Sequence, residues 1–323
     1  MLARLQRATT LLLLVAALGW AAWSVAAGRP ELAWVVALAI VGGYSGILAV
    51  EFLLLWNSYP DSASHRPSRA QLISSWLNEC AVAPRVFLWR QPFRSRRHAD
   101  LIVGIQQGCR GVVLVHGFVC NRGLWNPLLN RLEQAQIPFV AVNLEPVFGS
   151  IDRYVSIIDE AVVALEKATG LAPVLVAHSM GGLAVRAWIA QGNDQRFHRA
   201  VTVASPHQGT AIARRGFSEN TRQMDIRSPW LQALREREDP SLYRRFICFW
   251  GHCDNIVFPT ANATLPGADN RHLAATPHVQ MAFHPEVIDE VLRLAVATSG
   301  GLNRNSALIP RSEPGARSHP AKG

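Results

Sequence analysis

The chain has 323 residues, enough for one large domain with appendages or for two domains. Hydrophobic residues make up 49% of it and charged residues 17%, which excludes a disordered polyelectrolyte and leaves ample apolar surface for a core. The formal net charge of +9 favours an anionic partner, but no zinc-finger spacing, RNA-binding signature or basic recognition helix appears, so we expect no nucleic-acid partner.

Two long apolar runs open the chain. Residues 8–27 carry no charge and residues 32–56 carry only Glu51, so each run reaches the ~20 residues that cross a bilayer core. A polar turn at residues 28–31 separates them, which predicts a transmembrane helical hairpin over residues 1–57. The alternative is a cleaved signal peptide, because residues 25–27 resemble a processing site.

The orientation of this hairpin follows from its arginines. Arg4 and Arg7 precede the first run and an arginine-rich stretch follows the second, whereas the turn has only Arg29. Cytoplasmic flanks are enriched in such residues, so we expect a bacterial inner-membrane protein with both ends in the cytoplasm. Gly42 and Gly46 either allow close packing of the two helices or are ordinary membrane-helix glycines.

Residues 58–85 are predicted to be a basic juxtamembrane linker. The arginines that follow the hairpin either bind anionic lipid headgroups or form a solvated linker. They are Arg66, Arg69, Arg85, Arg90, Arg94, Arg96 and Arg97.

The five cysteines include no C-x-x-C pair. Isolated buried thiols are the simpler interpretation, and a bridge between Cys248 and Cys253 is the alternative in an oxidising compartment.

Residues 86–298 alternate short apolar runs with amphipathic stretches, which predicts an α/β domain with a mostly parallel sheet flanked by helices. Helices are predicted over residues 151–165, after Asn126 as a cap and after His284. Residues 211–242 are predicted to form a small cap over the site, and residues 299–323 a disordered tail. The predicted strands are residues 111–115, 138–143, 173–177, 200–204 and 246–250.

Four short motifs follow predicted strands directly or within a residue or two. They are residues 115–118, 177–182, 205–210 and 252–254. Because the carboxyl ends of parallel strands border one crevice, we expect these motifs to meet in space.

Ser179 stands between a predicted strand and a predicted helix, the context of a nucleophile elbow. Such a turn needs small residues two positions before and after the serine, and Ala177 and Gly181 satisfy this. The alternative is a serine that only caps the helix.

On these motifs the chain resembles the α/β-hydrolase fold, and more narrowly the bacterial triacylglycerol lipases and esterases. The resemblance covers residues 111–295, more than half of the chain, and rests on the Ala-x-Ser-x-Gly elbow and on residues 205–210 and 223–231. It implies an α/β-hydrolase domain preceded by the transmembrane hairpin.

The elbow implies an acid and then a histidine later in the chain. Asp254 follows a predicted strand and is the expected acid, with a loop-capping role as the alternative and Glu145 in reserve. Of the later histidines, His278 is the expected base because it precedes the last helix, as in these lipases; His272, in a polar loop, comes next.

Backbone NH groups at Phe118 and Met180 are the expected oxyanion donors, supported by His116 and Gly117. The Phe118 side chain is equally interpretable as a core aromatic. His178, His207 and His252, like His116, are expected to be structural.

The chemistry that follows is hydrolysis of a carboxylic ester through an acyl-enzyme, with no metal or organic cofactor, and membrane attachment is consistent with a lipid ester. An acyltransferase with the same triad and a membrane-tethered, non-catalytic scaffold remain open as alternatives. For a calcium ion, Asp269 is the one weak candidate ligand.

Overall fold

The computed structural model describes residues 1–59, 65–102 and 108–296. Its centre is a six-stranded sheet in the order β2-β1-β3-β4-β5-β6, in which every neighbouring pair is parallel. The strands are β1 (Val112–Val115), β2 (Phe139–Ala141), β3 (Val174–His178), β4 (Arg199–Val203), β5 (Phe246–Trp250) and β6 (Asp269–His272). The first five lie where the apolar runs predict them, because helices cover both faces of these strands and bury nearly every residue.

β6 differs from the prediction, which placed His272 in a polar loop. Among the strands that the structure describes, it pairs with β5 alone, at the edge of the sheet, and its residues are exposed or half-buried. An edge strand needs no apolar run, so its polar sequence gave no strand signal.

Helices cover both faces of the sheet. The α-helices are α1 (Leu2–Ala26), α2 (Val35–Ser58), α3 (Arg69–Pro84), α4 (Gln91–Arg94), α5 (Asn126–Gln134), α6 (Val155–Thr169), α7 (Met180–Ile189), α8 (Glu219–Gln223), α9 (Pro229–Arg237), α10 (His278–Met281) and α11 (Pro285–Ala295). A π-helical turn, Arg85–Arg90, joins α3 to α4. The 3-10 turns are Pro30–Leu32, Arg122–Trp125, Ile151–Tyr154, Ala211–Arg215, Pro240–Arg245 and Thr260–Ala263.

Two apolar cores result, one on each side of the sheet. α6 and α7 pack on one face, and α5 and α11 on the other. α6 ends at Gly170, whose φ of +68° is easily adopted only by glycine. Asn126 does not cap α5 as predicted, because a 3-10 turn precedes that helix and Asn121 Oδ1 accepts from Gly123 N at its start.

The first two helices are long and apolar enough to cross a bilayer, by length and composition alone. Their most apolar windows have mean hydropathies of 1.8 and 2.0, and only 11% and 6% of these windows are buried. A core helix of a soluble domain would be mostly buried, so this reading does not fit them. Gly42 and Gly46 do not mediate close helix packing, because a Cβ on either would meet nothing within 4 Å.

The predicted basic linker is a packed helix over much of its length. Ser68 begins α3 with a capping box, in which Ser68 Oγ accepts from Gln71 N and Gln71 Oε1 accepts from Ser68 N. Ser75, Glu79 and Ala83, four residues apart, are buried on one face. α3 therefore belongs to the folded body, although the arginines at and beside its ends, Arg66, Arg69 and Arg85, had favoured a solvated linker.

Cys248 and Cys253 are both free thiols, so the alternative of a bridge between them is not realised. The predicted disordered tail, 299–323, lies outside the described residues.

Candidate active site

Ser179 occupies a strained turn between β3 and α7. Its φ is +55°, an unfavourable region for a residue with a Cβ, and its NH donates to Val203 O at 2.9 Å. A Cβ on Gly181 would lie 2.6 Å from Val115 O, so only glycine fits two residues after the serine. Ala177, two residues before it, is accommodated in β3 and is 1% exposed.

His278 and Asp254 form a buried pair beside this turn. His278 Nδ1 lies 2.9 Å from Asp254 Oδ1 and 3.1 Å from Oδ2. Asp254 Oδ1 also accepts from Ile256 N and Val257 N, each at 2.9 Å, which fixes the carboxylate. Ser179 and His278 line one cavity of about 240 Å³. The structure thus brings together the three residues predicted for nucleophile, base and acid.

The electrostatics of His278 favour its protonated form. Burial alone would lower its pKa, but the charge and hydrogen bond of Asp254, with Glu79 and Glu51 behind them, raise the pKa above the ordinary value of 6.5. An imidazole held beside three carboxylates is well placed to accept a proton and to stabilise the resulting charge.

The loop after β1 lies against the serine. Gly117 and Phe118 line the same cavity, and Met180 is the first residue of α7, where NH groups have no partner inside the helix. His116 Nδ1 donates to Gly117 O at 2.9 Å while Nε2 accepts from Leu144 N at 3.0 Å. Burial lowers the pKa of His116 to about 4, so this side chain is neutral and holds the loop through its two hydrogen bonds.

Replacing Gly117 by Ala is expected to lower kcat on an acyl ester by ~10²-fold, the cost of displacing one oxyanion donor. The new Cβ would lie 2.8 Å from Ser179 Cβ and 3.2 Å from His178 O, so the loop or the serine must move. Gly19→Ala, where a Cβ meets nothing within 4 Å, is the matched control. Full activity of Gly117→Ala in a chromogenic ester assay would contradict this loop's role.

The other candidate histidines contact neighbouring protein groups. His178 Nε2 donates to His278 O at 3.1 Å, and burial lowers the pKa of His178 to about 3. His207 Nε2 lies 2.9 Å from Thr202 Oγ1. His252 Nδ1 lies 2.8 Å from His272 Nε2.

The two remaining acidic candidates are engaged elsewhere. Glu145, the reserve acid, contacts the amino group of Met1 at 2.6 Å and does not line the cavity of Ser179. Asp269, the weak calcium candidate, pairs with Arg271 at 2.6 Å.

The walls of the cavity come from an unexpected part of the chain. Tyr44, Leu48 and Glu51 of α2 line it, as do Glu79 and Ala83 of α3. Of the residues that the structure describes, none within 211–242 lines it, so the predicted cap over the site is not found there. The one sequence signal for this wall was the single charge, Glu51, inside an otherwise uncharged apolar run.

Two carboxylates of this wall contact the loops that hold His278. Glu51 Oε2 accepts from Asn255 Nδ2 at 2.7 Å, and Asn255 Oδ1 accepts from His278 N at 3.2 Å. Glu79 Oε1 accepts from Val279 N at 2.8 Å. Burial raises the pKa of Glu79 to about 7.

Comparison with known proteins gives a family and a fold. A family model described as "Alpha/beta hydrolase family" matches residues 112–304, more than half of the chain. No curated protein matches the sequence significantly.

Two solved structures show the same fold. The mature Bacillus licheniformis lipase BlEst2 aligns with 15% identity and a TM-score of 0.53, over 61% of this chain and 96% of that one. Aspergillus fumigatus lipase B aligns with 16% identity and a TM-score of 0.51, over 58% of this chain and 53% of that one, so the chain spans about half of its length. At such identities the likeness is one of fold alone.

Proposed function

The chain belongs to the alpha/beta hydrolase family, and from this we propose that it is a serine hydrolase of carboxylic esters with Ser179, His278 and Asp254 as its triad. The observation that carries the proposal is the strained serine turn, which shares one cavity with a histidine held by a buried carboxylate.

In this mechanism His278 Nδ1–H donates to Asp254, which leaves Nε2 free to accept the hydroxyl proton of Ser179. The serine oxygen attacks the acyl carbonyl, and the NH groups of Phe118 and Met180 stabilise the oxyanion. His278 then protonates the leaving alcohol, which departs from an acyl-enzyme. A water molecule, deprotonated by the same imidazole, releases the acid and restores the serine.

The test is a panel of acyl esters of increasing chain length, assayed with purified, detergent-solubilised protein and with a fluorophosphonate probe. We expect release of free acid and labelling of Ser179. Transfer of the acyl group to an added alcohol in preference to water would identify an acyltransferase. Folded protein that neither turns over esters nor labels would indicate a scaffold.

We also propose that α1 and α2 anchor the chain in a bacterial inner membrane with the hydrolase domain in the cytoplasm. Their exposed apolar surface supports anchoring, and the contact of Met1 with Glu145 puts the start of α1 beside the domain that follows α2. Binding of anionic headgroups by the arginines after the hairpin stays a prediction. Exposed Trp89, with Arg94 stacked 5.2 Å from its ring, is typical of a membrane interface and supports it.

Two measurements check this anchoring. The protein is expected to stay in the membrane pellet after carbonate extraction at high pH. Alkaline phosphatase fused after Gly323 is expected to be inactive and green fluorescent protein at the same position fluorescent. An active phosphatase fusion would reverse the orientation, and a fully extracted protein would contradict anchoring.

A further inference from the structure

The second apolar helix is both a candidate membrane span and a wall of the candidate active site. Tyr44, Leu48 and Glu51 follow each other at steps of four and three, so they share one face of α2, and that face lines the cavity of Ser179. On the side turned away from the cavity, Val50 is 52% and Leu53 61% exposed. The same helix therefore contacts the substrate site on one side and presents apolar side chains outward on the other.

α3 continues this outward apolar surface. Its inner face supplies Glu79 and Ala83 to the cavity, while Ile73 and Leu77, one turn apart, are more than half exposed. Apolar side chains exposed on two adjacent helices are typical of a surface that contacts lipid. The cavity thus lies just behind a lipid-like surface.

The cavity selects by size and charge. At about 240 Å³ it is smaller than the ~300–1,000 Å³ that drug-sized ligands occupy, so it holds the ester group and only part of a long acyl chain. Among the described residues that line it there are two carboxylates, Glu51 and Glu79, and neither Lys nor Arg. Burial of a phosphate headgroup without a cation would be costly, so an uncharged ester fits best.

Glu79 offers the cavity an unused hydrogen-bond acceptor. Its side chain is buried, 1% exposed, and Oε1 accepts from Val279 N. The NH of Gln280 also stabilises the carboxylate, but Oε2 has no hydrogen bond of good geometry among the described residues. A buried carboxylate oxygen without a donor is costly, so a ligand donor there would be favoured. A hydroxyl group is the donor that an uncharged ester can carry.

We propose that this cavity takes an uncharged, hydroxyl-bearing acyl ester directly from the bilayer in which α2 lies, with α2 contacting its acyl chain and Glu79 accepting a hydrogen bond from its hydroxyl group. This inference rests on the proposed function and specifies where the substrate resides and which residues select it.

Access from the bilayer is tested with protein reconstituted into phosphatidylcholine vesicles. Dioleoylglycerol is placed either in the same vesicles or in separate, protein-free ones, and p-nitrophenyl butyrate is the soluble control. We expect hydrolysis of the lipid to be at least ~10-fold faster in the same vesicles. Equal rates from separate vesicles, or butyrate hydrolysis without any lipid hydrolysis, would overturn the inference while leaving the proposed function intact. Failure on both esters would instead refute the proposed function.

The role of α2 is tested at one position on its inner face and one on its outer face. Leu48→Trp fills the cavity and is expected to reduce hydrolysis of the oleoyl ester at least ~10-fold more than that of butyrate, because the lost volume falls on the chain. Leu53→Trp, the same change on the outward face, is expected to behave like the unaltered protein. If Leu48→Trp proves inactive on both esters, Leu48→Ala decides: the enlarged cavity should shift the preference towards longer chains. An unchanged chain-length profile in Leu48→Ala would overturn the role of α2.

The role of Glu79 is tested with a pair of substrates, oleoylglycerol and the same ester with both hydroxyls methylated. At pH 9, above the Glu79 pKa of about 7, the unaltered protein is expected to prefer the hydroxyl form by ~10- to 100-fold in kcat/KM, the range for a buried hydrogen bond to a charged group. In Glu79→Met the ratio should fall to about one, and because it is a ratio within one variant, any general loss of activity cancels. Glu236→Gln, on an exposed part of α9, should retain the preference. A preference retained by Glu79→Met, or absent from the unaltered protein, would overturn this assignment.

Discussion

Ser179→Ala is expected to reduce kcat on an acyl ester by ~10⁵- to 10⁶-fold, the size of loss that follows removal of a triad nucleophile. Without the hydroxyl no acyl-enzyme can form, and only the binding cavity and the oxyanion donors remain. The substitution removes one atom and leaves the Cβ that the strained turn already accommodates, so the fold is expected to be unaffected. Initial rates with p-nitrophenyl butyrate measure the loss of turnover, and fluorophosphonate labelling measures the loss of the reactive serine.

Ser156→Ala is the matched control, because Ser156 is an exposed serine on α6, away from the cavity. It should label and turn over substrate like the unaltered protein. Both variants should melt at the same temperature. If the Ser179→Ala protein kept even a tenth of the activity, Ser179 would not be the nucleophile.

Asp254→Asn is expected to reduce kcat by ~10⁴-fold while preserving the fold, as for other triads in which this carboxylate is made an amide. The amide oxygen can still accept from Ile256 N and Val257 N, as Asp254 Oδ1 does, so the loop keeps its shape. The amide NH₂ then takes the position of Asp254 Oδ2, 3.1 Å from His278 Nδ1, and a hydrogen bond donated to that nitrogen puts the ring proton on Nε2. That nitrogen can no longer accept the proton of Ser179.

The same variant should change the pH dependence. Burial lowers the pKa of His278, and the Asp254 carboxylate outweighs burial and raises it. The base acts when neutral, so kcat/KM of the unaltered protein falls as the pH drops through this raised pKa. Without the carboxylate, burial lowers the pKa of His278 with less opposition from neighbouring charges. The acidic limb of the residual activity is therefore expected to move to lower pH.

Profiles of kcat/KM from pH 4.5 to 9 for both proteins measure this shift. Asp269→Asn, on an exposed carboxylate that pairs with Arg271, should leave the profile unchanged. If the acidic limb of Asp254→Asn stays at the same pH, the Asp254 carboxylate does not set the pKa of the base.

Much of the sheet and of the serine turn was predictable because short stretches of sequence determine both. Buried parallel strands need continuous apolar runs, and the turn at Ser179 needs small neighbours, so each leaves a short, readable pattern. β6 leaves none, because an edge strand with a half-exposed surface tolerates the polar residues of a loop.

The walls of the cavity were not predictable from local patterns. α2 is apolar all round, so nothing in its periodicity shows that one face meets a protein cavity and the other does not. α3 has a buried stripe of small and polar residues, among them Ser75 and Glu79, which reads as a solvated surface until its neighbours are known. Contacts between distant segments decide both cases.

The hydrogen bond between Glu51 and Asn255 has a practical consequence. It joins the apolar N-terminal region to the loop that carries the acid and steadies the histidine. A shortened protein that begins after Ser58 would dissolve more easily, yet it would lose this bond and leave one side of the cavity open to water. We therefore expect such a trimmed form to be a poor surrogate, and proteolytic shedding of the domain to silence the enzyme and not to liberate it.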